Sequence, residues 1–329
     1  MSNSVQLLGI SNAIVDILAH VDEEFLDKIG APRGSMTLID RDRAHEIYNM
    51  MGPATEMSGG SVANTVAGFA NMGGSAAYIG NVHDDQLGEI FNHDMRSLGV
   101  DVRLSPAKVG SPTARCHVLI DQDGQRTMQT YLGACTELRL ADITADTVGS
   151  PRITLLEGYV WDIPEGPALL NEAMRIAKGN GSQIALSLSD SFCVQRHRDE
   201  FMEAVKSSVD IVCADEDEMT ELFQVDSFDQ VLPLLDDFDN LFAMTRSEKG
   251  SVIVRGKEKF VQAAEPVEKV IDSTGAGDAY TAAFLFGLAN QKPLDECARL
   301  GTWVATQVIQ QVGARIEKGI LDNYQERSR

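Results

Sequence analysis

The run DSTGAGDAY, residues 272–280, followed by TAAFLFGLAN, residues 281–290, carries the strongest signal about the fold. It predicts the end of a strand, a turn of small residues and then an apolar helix. Gly275 and Gly277 allow backbone conformations that are closed to other residues and let a ligand come close. The amides of Gly275, Ala276 and Gly277, at the positive end of the helix, can hold a phosphate or a developing negative charge. Asp278 is expected to face the same point, where it can accept the proton of a hydroxyl.

Two other interpretations of this run are open. In the simplest, the glycines form an ordinary turn and Asp278 stabilises the helix N-terminus through its charge. In the other, GAGDAY is a dinucleotide fingerprint GxGxxG, but Tyr280 fills the position that needs a small residue for close packing. The chain also lacks a phosphate-binding GxxxxGKS or GxxxxGKT loop. Partners of Asp278 elsewhere in the sequence decide between these interpretations.

Length and composition limit the class of protein. The chain has 329 residues, of which 43% are hydrophobic and 23% charged, as in a globular protein with one large α/β domain and an insertion, or with two domains. Its formal net charge of −21 repels nucleic acids and anionic membrane surfaces, so neither is expected as a partner. The same field opposes an anionic substrate such as ATP. Local donors, a helix N-terminus and Mg²⁺ are therefore needed to overcome it.

The cysteines and the N-terminus indicate the compartment. The five cysteines are scattered and form no CxxC pair, which favours a reducing compartment and argues against a structural zinc site. The first residues lack a basic stretch before their apolar run, and no apolar segment approaches the length of a membrane span. We expect a cytoplasmic protein, either a monomer or a homodimer.

Short apolar runs alternate with helical patterns along most of the chain, which predicts an α/β fold with a doubly wound, mainly parallel sheet and helices on both faces. Residues 21–58 and 105–132 break this rhythm and resemble antiparallel strands joined by polar turns; the second stretch has an Asp-Gly turn between strands. We expect a large α/β domain from residues 1–20, 59–104 and 133–329. Residues 21–58 and 105–132 then form a small β-rich lid that can close over substrate.

A second glycine-rich segment, SGGSVANTVAGFANMGG, spans residues 58–74. Gly59 and Gly60 permit backbone contact with a ligand, and Asn64, one turn into the following helix, can donate to and accept from vicinal hydroxyls. Asp16, in SNAIVDI, is expected to end the first strand, where ligands bind in such sheets. Taken alone, helix capping explains the glycines and a strand-end turn explains Asp16.

These elements together resemble the ribokinase, or PfkB, family of carbohydrate and nucleoside kinases. NAIVDI, SGGSVANTVA, YIGNVHDDQLGEI with its DxxG at residues 85–88, and DSTGAGD follow the order and rough spacing of the family nearly end to end. Within the family the chain most resembles the branch that phosphorylates adenosine, because Asn12, Asp16, SGGSxxN and QRTMQTYLGAC match that branch. The resemblance implies a ribokinase-like fold and transfer of the ATP γ-phosphoryl group with Mg²⁺; a monovalent cation site stays open.

The resemblance also implies the roles of individual residues. Asp278 becomes the base that acts on a 5′-hydroxyl, and Arg126 in the lid hairpin reaches the transferring phosphate, although it can also be an ordinary solvated arginine. Asp16, Gly60 and Asn64 hold ribose hydroxyls. The remaining acceptor residues are Gly59, with Asn12 and Ser61 near the base. The ATP site includes Thr245, Gly250, Asp272 and Thr274.

Two departures from the family affect the ATP and metal sites. The family carries an NxxE segment that organises Mg²⁺ and phosphates; here Glu218 matches its glutamate, but Asp215 stands in place of asparagine. Asp215 and Glu218 are expected as metal residues, but they also form a capping-box pattern that is a complete structural explanation. Ser247 replaces a usual glycine after the strand that ends at Thr245.

The resemblance therefore implies a kinase that converts adenosine and ATP to AMP and ADP. The same chemistry on guanosine, inosine, ribose or fructose is the nearest alternative, because side chains facing the base are the least constrained by motifs. A nucleoside-binding regulatory protein with impaired catalysis is an alternative of another class, motivated by Asp215 and Ser247. A dehydrogenase is the third alternative function.

Overall fold

The computed structural model describes residues 5–327, and the side chains of residues 5–324. The strands of this part of the chain are β1 (Leu7–Ile10), β2 (Ile14–His20), β3 (Met36–Leu38), β4 (Thr55–Gly59), β5 (Ala76–Ile79), β6 (Asp101–Val102), β7 (Ala114–Ile120), β8 (Arg126–Tyr131), β9 (Ile153–Glu157), β10 (Gln183–Ser187), β11 (Ile211–Asp215), β12 (Leu241–Thr245), β13 (Ser251–Arg255) and β14 (Glu258–Gln262). The α-helices are α1 (Glu23–Lys28), α2 (Arg41–Met50), α3 (Ser61–Asn71), α4 (Gln86–Ser97), α5 (Ala145–Val148), α6 (Gly166–Gly179), α7 (Ser191–Ser207), α8 (Glu216–Phe223), α9 (Phe228–Val231), α10 (Ala276–Ala289), α11 (Leu294–Val308) and α12 (Ile320–Arg327).

The larger of two sheets has the strand order β14-β13-β12-β11-β10-β9-β1-β5-β6. All its neighbouring pairs are parallel except β12 with β13 and β13 with β14, which are antiparallel. Central strands such as β9 are buried along their whole length, because helices cover both faces. The α-helices α3, α4, α10 and α11 pack on one face, and α5 to α9 on the other. The expected doubly wound, mainly parallel sheet is confirmed.

The smaller sheet has the strand order β3-β8-β7-β2-β4. Its β7 and β8 form the antiparallel hairpin that the Asp-Gly turn predicts, with Arg115 paired to Tyr131 and Ile120 to Arg126. Asp121 closes the turn, because its Oδ1 accepts hydrogen bonds from the amides of Asp123 and Gln125, each at 2.9 Å. This hairpin is confirmed.

The expectation for residues 21–58 is wrong in its secondary structure. The stretch contains two helices, α1 and α2, and its short β3 pairs parallel, not antiparallel, with β8. Each helix begins at an aspartate whose carboxylate accepts an amide hydrogen bond: Asp22 from Phe25 at 2.9 Å and Asp40 from Arg43 at 2.8 Å. These are ordinary N-cap signals, and they explain why helices form where strands were expected.

The expected boundary of the small sheet at residue 21 is also wrong. Strand β2 begins at Ile14 and lies at the centre of the small sheet, between β4 and β7. Asp16 is therefore the third residue of β2 and does not end the first strand, which stops at Ile10. Only residues 11–13 separate the two sheets at this point, so Asp16 lies at their junction.

The DxxG segment, residues 85–88, joins the two sheets by capping. Asp85 Oδ1 accepts from the Gly88 amide at 2.9 Å at the start of α4, and Asp85 Oδ2 accepts from the Thr113 amide at 2.9 Å just before β7. A Cβ at Gly88 would overlap the carbonyl oxygen of His83.

Across residues 5–327, no helix combines the length and the apolar character that crossing a bilayer requires.

We predict that Gly88→Ala lowers the free energy of unfolding by about 1–3 kcal/mol, since its Cβ meets backbone that cannot rotate away. Gly179→Ala is the matched control, because a Cβ at this helical position meets no atom within 4 Å. The control is expected to leave stability unchanged or to raise it slightly. Urea unfolding followed by circular dichroism measures both, and equal stabilities of the two variants would contradict the capping role.

Candidate active site

The carboxylate of Asp278 lies where the first turns of α10 and α3 meet. Its Oδ1 accepts from the Ser61 hydroxyl at 2.7 Å and its Oδ2 from the Asn64 amide at 3.0 Å, while Thr65 Oγ1 donates to the Asp278 carbonyl at 3.2 Å. Burial raises the pKa of Asp278 to about 6, although the Ser61 and Asn64 hydrogen bonds act in the opposite direction. The group is thus a carboxylate at neutral pH with a basicity suited to taking a proton.

The turn before α10 presents backbone donors to the same point. Gly275 has φ 74°, and a Cβ there would lie 2.9 Å from Ala314 Cα, so the position requires glycine. The amide of Ala276 donates to the Ser273 carbonyl at 3.2 Å, which differs from the expectation that this amide faces a ligand. Within residues 5–327, the amides of Gly275 and Gly277 have no hydrogen-bond partner. These two amides lie at the positive end of α10, and we call the turn that carries them, residues 273–277, the anion loop.

Asp16 lies opposite Asp278 with its carboxylate against the backbone of Gly59. A Cβ at Gly59 would overlap that carboxylate, and a Cβ at Gly60, which has φ 89°, would lie 2.7 Å from the Asn12 carbonyl oxygen. The adjacent glycines therefore let the ends of β2 and β4 approach closely. Burial raises the pKa of Asp16 to about 6, while the positive charges of Arg315 and Arg126 lower it.

Asn64 has one amide atom left for a ligand. Its Nδ2 is used by Asp278, and its Oδ1 is buried without a hydrogen-bond partner in the described part of the chain. A buried acceptor with no donor is costly unless a ligand or water supplies one. Ser61, which is expected near the acceptor's base, donates its hydroxyl hydrogen bond to Asp278.

Arg126 extends from β8 of the small sheet to Asp272, just before the anion loop. The two side chains form an ion pair and are only 8% and 3% exposed. The Asp272 carboxylate also accepts from the amides of Thr274 at 3.0 Å and Gly313 at 2.7 Å. Asp272 is thus occupied in holding the anion loop, the C-terminal segment and Arg126 together.

The other residues that the sequence predicts for the ATP site lie at the carboxyl end of β12 and in the loop after it. Thr245 ends this strand, and Gly250 has φ 89° with its α-carbon packed against the backbone at Gln262. Ser247 has φ 48°, a left-handed conformation that favours glycine, so serine stands here at a position whose backbone suits the glycine expected from the family pattern. The sequence did not point to Glu216, which binds Arg246 and Lys249 of this loop, each at 2.9 Å.

Asp215 and Glu218 form the capping box of α8. Asp215 Oδ1 accepts from the amides of Asp217 and Glu218 at 2.9 and 2.8 Å, and Glu218 Oε2 accepts from the Asp215 amide at 2.9 Å. No group of three or more possible metal-ligating side chains occurs among the described residues. Burial and the neighbouring Asp215 raise the pKa of Glu218 to about 8. A carboxylate oxygen is the type of ligand that Mg²⁺ prefers, so Glu218 fits such a cation in chemical type.

Sequence reasoning missed two further charged residues, which lie on the acceptor side of the site. Glu157, at the carboxyl end of β9, is buried and accepts from the Val62 amide at 3.1 Å; burial raises its pKa to about 7. Arg315 follows α11 and donates to the carbonyls of Ser58 and Ala63. A glutamate closing the apolar run RITLLE was a usable signal for Glu157, whereas nothing local marked Arg315.

Comparisons with known proteins bear on the family and the fold of this chain. The model of the pfkB family carbohydrate kinases matches residues 34–318. A solved structure of adenosine kinase from Sinorhizobium meliloti is 47% identical, with a TM-score of 0.92 over 98% of this chain and 99% of that one. A probable sugar kinase from Rhizobium etli is 42% identical, with a TM-score of 0.92 over 98% of both chains. Adenosine kinase 1 of Arabidopsis thaliana is 25% identical over 93% of this chain and 94% of its own length.

The chain belongs to the pfkB family of carbohydrate kinases. It is therefore a phosphotransferase that uses ATP and has a hydroxyl group of a nucleoside or sugar as acceptor. The ribokinase-like fold expected from the sequence is confirmed.

We predict that Gly59→Ala raises the KM for the acceptor at least about tenfold while the protein stays folded, since the new methyl group displaces the rotatable Asp16 carboxylate. Gly52→Ala is the control, because a Cβ there meets no atom within 4 Å. Steady-state kinetics and thermal unfolding of both variants make the comparison. An unchanged KM in Gly59→Ala would contradict a role for Asp16 in acceptor binding.

Proposed function

We propose that this chain transfers the γ-phosphoryl group of ATP to the 5′-hydroxyl of adenosine, giving AMP and ADP. The observation that carries the proposal is the Asp278 carboxylate, placed at the N-terminus of α10 beside the free amides of the anion loop and bound by Ser61 and Asn64. The 47% identical relative from Sinorhizobium meliloti, described as an adenosine kinase, supports adenosine as acceptor.

The acceptor is proposed to bind between Asp16 and Asn64. An ionised Asp16 can accept hydrogen bonds from two neighbouring ribose hydroxyls, and the unpartnered Asn64 Oδ1 can accept another. Gly59, Gly60 and Asn12 form the wall behind Asp16. A ribose held here directs its 5′-hydroxyl toward Asp278. The reacting oxygen is therefore already oriented for attack, which lowers the entropic cost of reaching the transition state.

Transfer then requires one proton acceptor and several donors to phosphate. Asp278 takes the proton of the 5′-hydroxyl as the oxygen attacks phosphorus, and the bond from phosphorus to the leaving ADP oxygen breaks. The amides of Gly275 and Gly277 hydrogen-bond to the transferring group. Arg126, buried beside the anion loop, adds positive charge there.

Thr245 and Gly250 are proposed to border the nucleotide, and Glu218 to hold Mg²⁺ through water or directly. When bound, Mg²⁺ neutralises phosphate charge and polarises the phosphoryl group. Asp215 supports Glu218 through the capping box. Asp272 and Thr274 shape the anion loop, since their mutual hydrogen bond of 3.0 Å fixes its first turn.

The small sheet, from β2, β3, β4, β7 and β8, is proposed to act as the lid that closes over the acceptor. Asp16 and Arg126 both lie on its strands, so closure and assembly of the site are one event. The five buried, unpaired cysteines support a reducing compartment, and we place the reaction in the cytoplasm.

A different acceptor is the one alternative that an observation favours, because the 42% identical relative from Rhizobium etli is described as a probable sugar kinase. Guanosine, inosine, ribose and fructose are the compounds to compare with adenosine. Each offers a primary hydroxyl beside vicinal hydroxyls, so the Asp16 and Asn64 contacts alone do not discriminate among them.

We predict that adenosine has the highest kcat/KM in a panel of these five compounds with Mg²⁺ and ATP, measured as ADP release. 5′-Deoxyadenosine, which lacks the reacting oxygen, is expected to inhibit competitively without being phosphorylated. A higher kcat/KM for another acceptor would replace adenosine by that compound. Binding of adenosine by calorimetry without ADP release from any acceptor would instead favour a regulatory nucleoside-binding protein.

We predict that Asp278→Asn lowers kcat by roughly 10²–10⁴-fold with a small change in acceptor KM, as expected when a general base is removed. Asp295→Asn is the matched control, since Asp295 also lies in the first turn of a helix, α11, but is exposed. Turnover of the Asp278 variant within threefold of the control would end the assignment of Asp278 as base.

A further inference from the structure

Arg315 lies in the segment that follows α11, and its guanidinium is buried against β4 and the first turn of α3. Its guanidinium donates to the Ser58 carbonyl from Nη2 at 2.7 Å and from Nε at 3.2 Å, to Ser58 Oγ at 2.8 Å, and to the Ala63 carbonyl at 3.0 Å. One side chain therefore satisfies acceptors on two different elements. These acceptors flank Gly59 and Gly60, the two glycines that face Asp16 and Asn12.

The same guanidinium connects the small sheet to the anion loop. Ser58 belongs to β4 and Ala63 to the first turn of α3, while Arg315 follows Gly313 and Ala314 directly. The Gly313 amide donates to Asp272, and Ala314 packs against Gly275. The segment 313–315 thus contacts the acceptor side and the phosphate side of the site at once.

Two carboxyl groups, Asp278 of α10 and Asp16 of β2, interact with this guanidinium. A third, Glu157 of β9, interacts with Asp278, and the charge of Asp278 disfavours ionisation of both Asp16 and Glu157. Ser61 and Asn64 of α3 face Asp278 as neutral donors, and Arg126 of β8 acts on Asp16. Arg315 is the positive charge that favours the ionised form of both Asp16 and Asp278.

Two further groups face Arg315 and must be counted. Asp94 of α4 accepts from the Ser58 amide at 2.9 Å, and Tyr78 of β5 lies nearby; the charge of Asp94 favours the guanidinium form. Arginine stays charged even when it is desolvated, because its pKa is far above neutrality. A lysine at this position could keep the charge but not the forked set of hydrogen bonds.

We infer that Arg315 is a positioning residue of this site, which holds the Gly59–Gly60 backbone against Asp16 and supplies the positive charge that keeps Asp16 and Asp278 ionised together. The inference deepens the proposed function and rests on it for its kinetic consequence. Its electrostatic consequence does not, since the charge of Asp278 can be measured without turnover.

The first experiment measures that charge. Protein labelled with ¹³C at the aspartate carboxyl carbon is titrated by NMR, and the Asp278 signal is identified by its loss in Asp278→Asn. In Arg315→Met we expect the Asp278 midpoint to rise by about one pH unit, and in Arg315→Lys by less than half of that. An unchanged midpoint in folded Arg315→Met would overturn the inference whatever the enzyme phosphorylates.

The second experiment measures kcat against pH for ATP with adenosine. If the midpoint rises by one unit from about 6, the ionised fraction of Asp278 at pH 6 falls about fivefold, whereas at pH 8 it falls by roughly a tenth. Arg315→Met is therefore expected to lose several-fold more activity at pH 6 than at pH 8, and Arg315→Lys to stay within about twofold of the wild-type profile. An equal loss at both pH values would leave Arg315 a purely structural role and overturn the inference.

Arg152→Met is the matched control, because Arg152 also donates to a distant carbonyl, that of Ala289 at 2.7 Å, but at the opposite end of β9. It is expected to leave both the Asp278 midpoint and the kcat profile unchanged. Wild-type protein without any turnover would refute the proposed kinase function, while the NMR midpoints would still decide the role of Arg315.

Discussion

The site depends on one shared carboxylate. Asp278 accepts from Ser61 and Asn64, and so joins the first turns of two helices that are more than two hundred residues apart in the chain. These two helices, α3 and α10, also pack against each other. Because both helix N-termini point at the carboxyl ends of the parallel strands, their dipoles and free amides converge where negative charge has to be held.

This convergence explains how an acidic protein can bind anions. The formal net charge of −21 acts over the whole surface, but salt screens exposed charges beyond about 8 Å at physiological ionic strength. Within the cleft the balance is different. Arg126 and Arg315 are largely withdrawn from water, and the amides of Gly275 and Gly277 are fixed in direction. A few local donors can therefore outweigh many distant carboxylates.

Carboxyl groups in the same cleft repel one another when they are ionised. Asp278, in the first turn of α10, lies close to both Asp16 of β2 and Glu157 at the end of β9, and burial raises the pKa of each. Neighbouring carboxylates oppose one another's ionisation, and only nearby positive charge or hydrogen-bond donors can relieve this. Arginine and two helix N-termini meet that need, which gives an electrostatic reason for the position of the C-terminal segment against the anion loop.

Much of the fold was predictable, because its signals are local. The alternation of apolar runs with helical patterns predicts the parallel sheet, and the Asp-Gly turn predicts the β7–β8 hairpin. Residues 21–58 were misjudged although the N-cap residues Asp22 and Asp40 were present, since the stretch was interpreted as strands joined by polar turns. The position of β2 was not predictable, because a strand pattern does not specify which of two sheets it joins.

By itself, the sequence determined the chemical components: a glycine turn before an apolar helix, a carboxylate one turn inside it, and a second glycine pair followed by Asn64. These depend on backbone conformation and residue type, which act over a few positions. Only the tertiary structure decided which partners meet. Ser61 contacts Asp278, Asp272 binds Arg126, and Arg315 lies beside Asp16 and Asp278. Such contacts join residues distant in sequence, and their energy depends on burial and on neighbouring charge, neither of which is a property of any short segment.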